Sequence, residues 1–438
     1  MNPTLLWLCL AAVTQDAGPA CTPAVMPSVV ALQSESKVLT LAEALERGTK
    51  NAFAIKRAQS ASEKTKAQRA ESRAVLGPKG TVGGTYTRFD QKGQSGKLDS
   101  TELTAGVSMP LDLSGAIGKS IRATDAAQRA SDLGIESEVN LVKNQIRTSY
   151  YGVVQADWLV RVQRDAVVST EQRLEIGRKR EQVGKLARFD VLRLETAYTA
   201  ARRALVEAEN QARLARQLLN QVLAQPIETA FDPEDLPLTP DFEPDANQLT
   251  ESALKNRPDL GQLAALVEVR ELIRQVTSKG LSPQVSLSTQ YSRQLNPGQF
   301  QRSNSWFGVI AVTWPVFDSG ITRAKTKQAE EDKKQAMIAL DQAKLGVSLE
   351  VRSATLKYRN AQAQLILAQK QFEEAKEAFR LANLLFEAGK GILLDVTTAQ
   401  ETLTRADAGL SLARYSLLTA YADLQKAVGL DNLTEIKP

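Results

Sequence analysis

Histidine is absent from this 438-residue sequence. That removes Ser-His-Asp triads, histidine general bases and nearly all familiar zinc sites at once. Cysteine occurs twice, at Cys9 and Cys21, both near the N-terminus, so neither a disulfide framework nor a CxxC redox motif can be assembled. Beyond the N-terminus no stretch reaches the ~18 uninterrupted apolar residues of a membrane-spanning helix. A GxxxxGK[ST] phosphate loop is missing too, because Gly389-Lys390-Gly391 lacks its spacing. Charge of one sign is scarce: Lys and Arg alternate with Glu and Asp, and the net charge is only +5. That pattern is a solvated helix surface, whereas a nucleic-acid footprint needs basic residues gathered on one face.

What is present starts with a short apolar core. Leu5–Val13, followed by small residues, has the length of a signal-peptide h-region and cannot span a bilayer. Residues 1–20 are therefore expected to be a signal peptide, although its n-region offers only the terminal amine. Cys21 follows Gly-Pro-Ala as a candidate lipid-attachment cysteine, with Gly18 standing where such sites usually carry Leu.

The prolines draw the rest of the map. None of the sixteen lies between Leu111 and Gln225 or between Val316 and Lys437. Proline costs ~3 kcal/mol inside a helix, so these windows license very long helices. The framing prolines repeat at one offset: Pro78 and Pro283, and Pro110 and Pro315, are each 205 residues apart. The same offset relates Tyr86 to Tyr291, Arg88 to Arg293, Ser114-Gly115 to Ser319-Gly320 and Arg147 to Arg352. This is the mark of an internal duplication. Between the copies, residues 225–247 are rich in proline and acid and read as an irregular connector.

Each copy opens with an amphipathic helix, expected over about 41–74 and 248–279. Next comes two-residue alternation. Ser286, Ser288, Gln290 and Ser292 alternate with Leu287, Thr289 and Tyr291. The returning strand puts Trp306, Gly308, Ile310, Val312 and Trp314 on one face, and the first copy answers with Leu103, Ala105, Val107 and Met109. Alternation over about ten residues, aromatics near the ends and long polar loops suit outer-membrane strands, and equally a hairpin packed on a soluble core. The helical part is sharper. Ile146, Val153, Val160, Val167 and Leu174 recur every seven residues, as do Val351, Tyr358, Leu365, Phe372, Phe379 and Phe386. In the second copy Ala354, Ala361, Ala368, Ala375 and Ala382 fill the seam between. A strict heptad demands left-handed supercoiling, and large residues alternating with alanine let helices interlock. A helix from about Ile117 to Gln182 would be ~100 Å long, too long for a globule.

Near the far end of each long helix the sequence repeats a phrase, "VGKLARFDV" at 183–191 and "AGKGILLDV" at 388–396. Gly184 and Gly389 can take the left-handed conformation that ends a helix. Asp190 and Asp395 are placed to cap the next one by accepting backbone N–H bonds. Each phrase thus reads as a tight helix reversal.

The order of these pieces, with "KNRPDL" at 255–260, "PVFDSG" at 315–320 and the two tip phrases, resembles the TolC-like outer-membrane efflux protein family over nearly the whole chain. The resemblance implies a mainly α protein with a membrane β-barrel: a homotrimer whose twelve strands continue into a long α-helical coiled-coil barrel, built from two tandem repeats per chain, 41–224 and 248–429, with a tail at 430–438. Counting points the same way, since four strands cannot close a membrane barrel and three chains supply twelve. The resemblance further implies a bacterial outer-membrane exit duct of a tripartite efflux or type I secretion system. Its partners would be a periplasmic adaptor, an inner-membrane transporter and outer-membrane lipid, with no cofactor, metal, catalysis or nucleic acid. Asp190 and Asp395 would line the periplasmic aperture. Gly184, Lys185, Leu186, Val191, Gly389, Lys390, Gly391 and Val396 would meet the adaptor. Val107, Met109, Trp306, Ile310, Val312 and Trp314 would face lipid. Gly391 and Thr398 stand where the family's best-known member has an arginine and a further aspartate, so that member's salt-bridge latch is not carried over. Two alternatives share the heptads: a periplasmic adaptor, and a soluble coiled-coil scaffold.

Overall fold

The computed structural model describes residues 37–88, 90, 98–234, 243–297 and 302–433. The expected signal peptide, Cys9 and Cys21 lie outside them. The long helices form as the proline-free windows allow: α3 (Ala116–Gln182) and α7 (Ile321–Glu387) have 67 residues each. Both boundaries of α7 lie 205 residues beyond those of α3. Shorter helices line them end to end. α2 (Phe53–Ala74) and α6 (Pro258–Thr277) pack on their N-terminal halves, and α4 (Arg188–Val222) and α8 (Leu393–Val428) on their C-terminal halves. α3 also packs on α6 and α8, which joins the two hairpins within one chain.

The heptad seam is where the cores form. Ile146, Val153, Val351 and Tyr358 are fully buried, with Ala354 and Ala361 between large neighbours. The two largest apolar clusters meet at mid-length, around Tyr150 on α3 and Tyr358 on α7. This waist is finished by two short helices, α1 (Leu41–Asn51) and α5 (Ala246–Asn256), and by β1 (Lys37–Leu39) paired in parallel with β4 (Phe231–Pro233). The buried Tyr150 hydroxyl donates to Leu39 O at 2.7 Å and accepts from Glu234 N at 3.0 Å.

Three expectations need correction. The helices expected over 41–74 and 248–279 are each broken, at Ala52 (φ −52°, ψ 128°) and at Arg257 (φ −71°, ψ 122°). At Arg257 the cause is Pro258, which pushes the preceding residue out of the helical region. At Ala52 no proline stands, and the bend keeps Ala52 and Ile55 in the waist core. The connector 225–247 is not wholly irregular, since it contributes β4. The tail starting at 430 is partly packed: Leu433 is fully buried, and Asp431 takes Arg147 at 2.8 Å and Lys143 as well.

At the other end of α3 and α7 stands a four-stranded antiparallel sheet in the order β2 (Lys79–Arg88), β3 (Asp99–Leu111), β5 (Gln284–Gln294), β6 (Asn304–Thr313). The register sorts its side chains. Val82, Ala105, Tyr291 and Trp306 form one cross-strand row, and Val107, Leu287, Ile310 and Val312 share their face. The opposite face carries Thr81, Thr85, Ser108, Ser286, Ser288, Gln290 and Ser292, with Phe307 and Val309 the large apolar side chains on it. Trp314 follows β6, its indole N–H donating to Leu281 O at 3.1 Å. Among the described residues no helix is long and apolar enough to cross a membrane.

Candidate functional site at the hairpin tips

Both reversals are built by the same backbone chemistry. Gly184 and Gly389 have φ of 71° and 70°, a conformation costly for residues with a Cβ. At the first tip Gly184 N donates to Glu181 O at 2.9 Å and Lys185 N to Arg180 O at 2.8 Å. At the second, Gly389 N donates to Phe386 O at 3.1 Å and Lys390 N to Leu385 O at 2.9 Å. These are Schellman caps, which satisfy carbonyls the helix end would otherwise leave bare. The second tip adds Gly391 N to Leu385 O at 3.0 Å. Lys185 and Lys390 are exposed, while Leu186 folds back toward the core.

The aspartates do not cap. α4 begins at Arg188 and α8 at Leu393, so the N-cap positions belong to Ala187 and Ile392, both extended and without a side-chain bond. Asp190 and Asp395 instead occupy the third helical position, where a carboxylate favours the helix N-terminal dipole. Asp190 is half-buried and Asp395 exposed. One residue on, Val191 and Val396 are 0% and 1% exposed and anchor each tip.

The structure brings the two tips together. Leu174, Val191 and Leu194 of the first hairpin share one apolar cluster with Leu393 and Phe386 of the second. Beside that cluster run two cation–π contacts one heptad apart: Arg173 over Phe379 and Arg180 over Phe386, each 4.8 Å from the ring centroid. Arg173 also donates to Ser169 Oγ at 2.6 Å and to the Gln400 side-chain carbonyl. No carboxylate neutralises it among the described residues, and burial lowers its pKa to about 10. It stays charged at neutral pH. It also stands where two cavities meet: one of about 370 Å³ between α3, α4 and α8, and one of about 90 Å³ between the tips. The sequence showed Phe379 and Phe386 as heptad positions, but gave no pairing for them. Arg173 and Arg180, also seven apart, were the available sign.

Strands with one apolar and one polar face, mounted on helices ~100 Å long that end in tight reversals, define a class: a sheet suited to a membrane, prolonged by a helical stalk. Comparison with known proteins gives the family. The outer membrane efflux protein family matches residues 44–225 and 249–430, and the chain belongs to that family. Among curated relatives, the pyoverdine export outer membrane protein OpmQ of Pseudomonas aeruginosa is 22% identical over 346 residues, 78% of this chain and 73% of the relative. The alkaline protease secretion protein AprF of the same organism is 23% identical over 352 residues, 79% of this chain and 73% of AprF. The Campylobacter jejuni CmeC outer membrane channel superposes with a TM-score of 0.80 at 19% identity, covering 89% of this chain and 85% of CmeC. The protein is thus an outer-membrane exit channel whose helices extend into the periplasm.

Proposed function

We propose that three copies of this chain, each a pair of tandem repeats, close one 12-stranded barrel and, beneath it, one hollow cylinder of helices. The observation that carries this is a pair of open edges. β2 and β6 end the sheet with their outer backbone groups unpaired and their residues exposed, and a membrane does not tolerate open edges. Below the sheet, α4 shows Leu214 and Leu218, and α7 shows Leu345, Leu349 and Leu356, all at least half exposed. Neighbouring copies would cover both flanks. In that assembly Val107, Met109, Trp306, Ile310, Val312 and Trp314 face lipid and the hydroxyl-rich face lines the lumen.

The duct is passive and performs no catalysis. Energy comes from an inner-membrane transporter through a periplasmic adaptor. Lys185, Lys390 and Gly391, with Gly184 and Gly389, form the surface the adaptor meets. Leu186, Val191 and Val396, expected on that surface, fold into the tip core and support it from behind. Asp190 and Asp395 come in rings of three around the periplasmic aperture, where like charges favour cation passage. Opening swings the α7–α8 hairpin away from α3. Small molecules and proteins are both admissible cargo, since one relative is named for pyoverdine export and another for alkaline protease secretion.

The first test is the protein mass of the detergent-solubilised complex from outer membranes, by light scattering with detergent subtracted. Three chains are expected, and a single chain would refute the assembly. In planar bilayers, Asp190→Ala with Asp395→Ala should lower cation conductance and cation preference. No change in either would remove the aspartates from the aperture.

A further inference from the structure

Two residues of the duplicated pattern have no place in the duct itself: Arg88 and Arg293, each two positions after a tyrosine, Tyr86 and Tyr291. Side chains two apart on a strand share a face. The register puts all four on the apolar face, with Tyr291 directly opposite Trp306 and Ala105, and Arg293 opposite Leu103 and Asn304. Arg88 is the last residue of β2 and Arg293 the last but one of β5, so both lie at the end of the sheet away from the helices. Their pairings on β3, with Asp99 and Leu103, are four residues apart across two strand steps. At ~3.3 Å per residue and ~4.8 Å per strand, that is a stagger of the order a tilted barrel requires. Strand tilt therefore brings the two arginines toward one height.

We infer that each Tyr-x-Arg pair is a binding site for the phosphate headgroup of an anionic membrane lipid. This rests on the apolar face being the lipid face. Tyr86 and Trp306 are 62% and 72% exposed, and with Tyr291 they make an aromatic level above Val82, Leu287 and Ile310. Aromatics at that level mark the membrane–water interface, so a residue one step further out reaches the headgroups. Neither guanidinium has an ion-pair partner among the described residues. Asp99, opposite Arg88 in the ladder, instead accepts from Asn296 Nδ2 at 3.3 Å. A guanidinium fork matches two phosphate oxygens, the tyrosine ring covers the glycerol region, and the acyl chains follow the apolar band below.

The test uses the full-length protein purified from outer membranes and reconstituted in phosphatidylcholine vesicles. Acyl-brominated phosphatidylcholine is compared with acyl-brominated phosphatidic acid as a quencher of Trp306 fluorescence, assigned by difference from Trp306→Phe. Wild type should prefer phosphatidic acid by about tenfold. Arg88→Gln with Arg293→Gln should remove the preference, and Arg88→Lys with Arg293→Lys should retain part of it. Equal quenching by both lipids in wild type, or a preference that survives the double glutamine variant, overturns the site. Abolition of the preference by inorganic phosphate would assign the arginines to soluble phosphate and overturn the lipid assignment. Failure of either lipid to quench Trp306 would show that the lipid-face reading itself is wrong.

Discussion

The two hairpins of this chain share their caps and their helix lengths but are held in different ways. α3 and α4 are cross-braced near their tip by Arg178–Glu195 at 2.8 Å and Arg188–Glu181 at 3.6 Å, and higher up by Arg216–Asp157 at 2.8 Å. Between α7 and α8, the Lys426–Glu350 pair at 3.4 Å sits at the waist, ~50 Å from the tip at 1.5 Å per residue. Toward its tip the second hairpin is held by apolar packing and by what α3 offers it: Arg173, Arg180 and Leu174. Beyond the helix packing that both hairpins share, the first carries ion pairs of its own near the tip, while the second takes its charged contacts there from α3. In the proposed opening, the first hairpin is the side that stays and the second the side that moves.

Four changes test that contrast. The largest effect should come from Val191→Asp or Val396→Asp, each placing a carboxylate in a fully buried tip joint at a cost of several kcal/mol. Both hairpins should suffer alike, read as rapid proteolytic nicking at 183–187 or 388–392. Next, Phe379→Ala with Phe386→Ala removes both cation–π rungs, about 2 kcal/mol in total, a roughly thirtyfold shift toward the open state. Single-channel recording should show long open dwells in this variant, and wild-type dwells in Arg178→Ala with Glu195→Ala. Equal behaviour of the two variants would erase the distinction between the hairpins.

Gly184→Ala and Gly389→Ala should each cost about 1–2 kcal/mol, because φ is positive and the added Cβ meets nothing within 4 Å. Thermal melting should rank them equal. Gly391→Ala should affect the second tip alone, since its Cβ would stand 3.1 Å from Leu385 Cβ and Phe386 N. The smallest effect is acid sensitivity. The hydrogen bond from Arg178 holds the Glu195 carboxyl below its usual range. That stabilisation is present above the unfolded carboxylate pKa of ~4.3 and is lost as pH falls through the lower folded value. Amide protection factors, corrected for intrinsic exchange, should fall between pH 7 and pH 3 more at the first tip than at the second. At the first tip Arg178–Glu195 joins two helices, whereas at the second Arg380–Glu377 lies within α7.

Local rules made much of this legible. Heptads gave the long helices and their buried seam, because packing periodicity is written in every turn. Strand alternation gave the apolar face, and two glycines gave the reversals. Where sequence reasoning missed, the deciding partner was distant. The break at Ala52 has no proline to announce it and serves the waist core. β4 looked irregular because a three-residue strand has no periodicity, and β1 supplies its pairing from nearly two hundred residues away. The aspartates were expected as caps because Asp suits that role, yet both helices begin two residues earlier, at Arg188 and Leu393.

By itself the sequence determined the inventory: two proline-free helical hairpins, two strand pairs, two capped tips carrying one aspartate each, and the duplication that relates them. These follow from steric and packing preferences that act within a few turns of chain. The tertiary structure alone decided which hairpin braces which. Arg173 and Arg180 reach Phe379 and Phe386 of α7 only after α3 has packed against α8 and the two hairpins stand together. A cation does not reveal in one dimension whether it will meet a carboxylate or a ring.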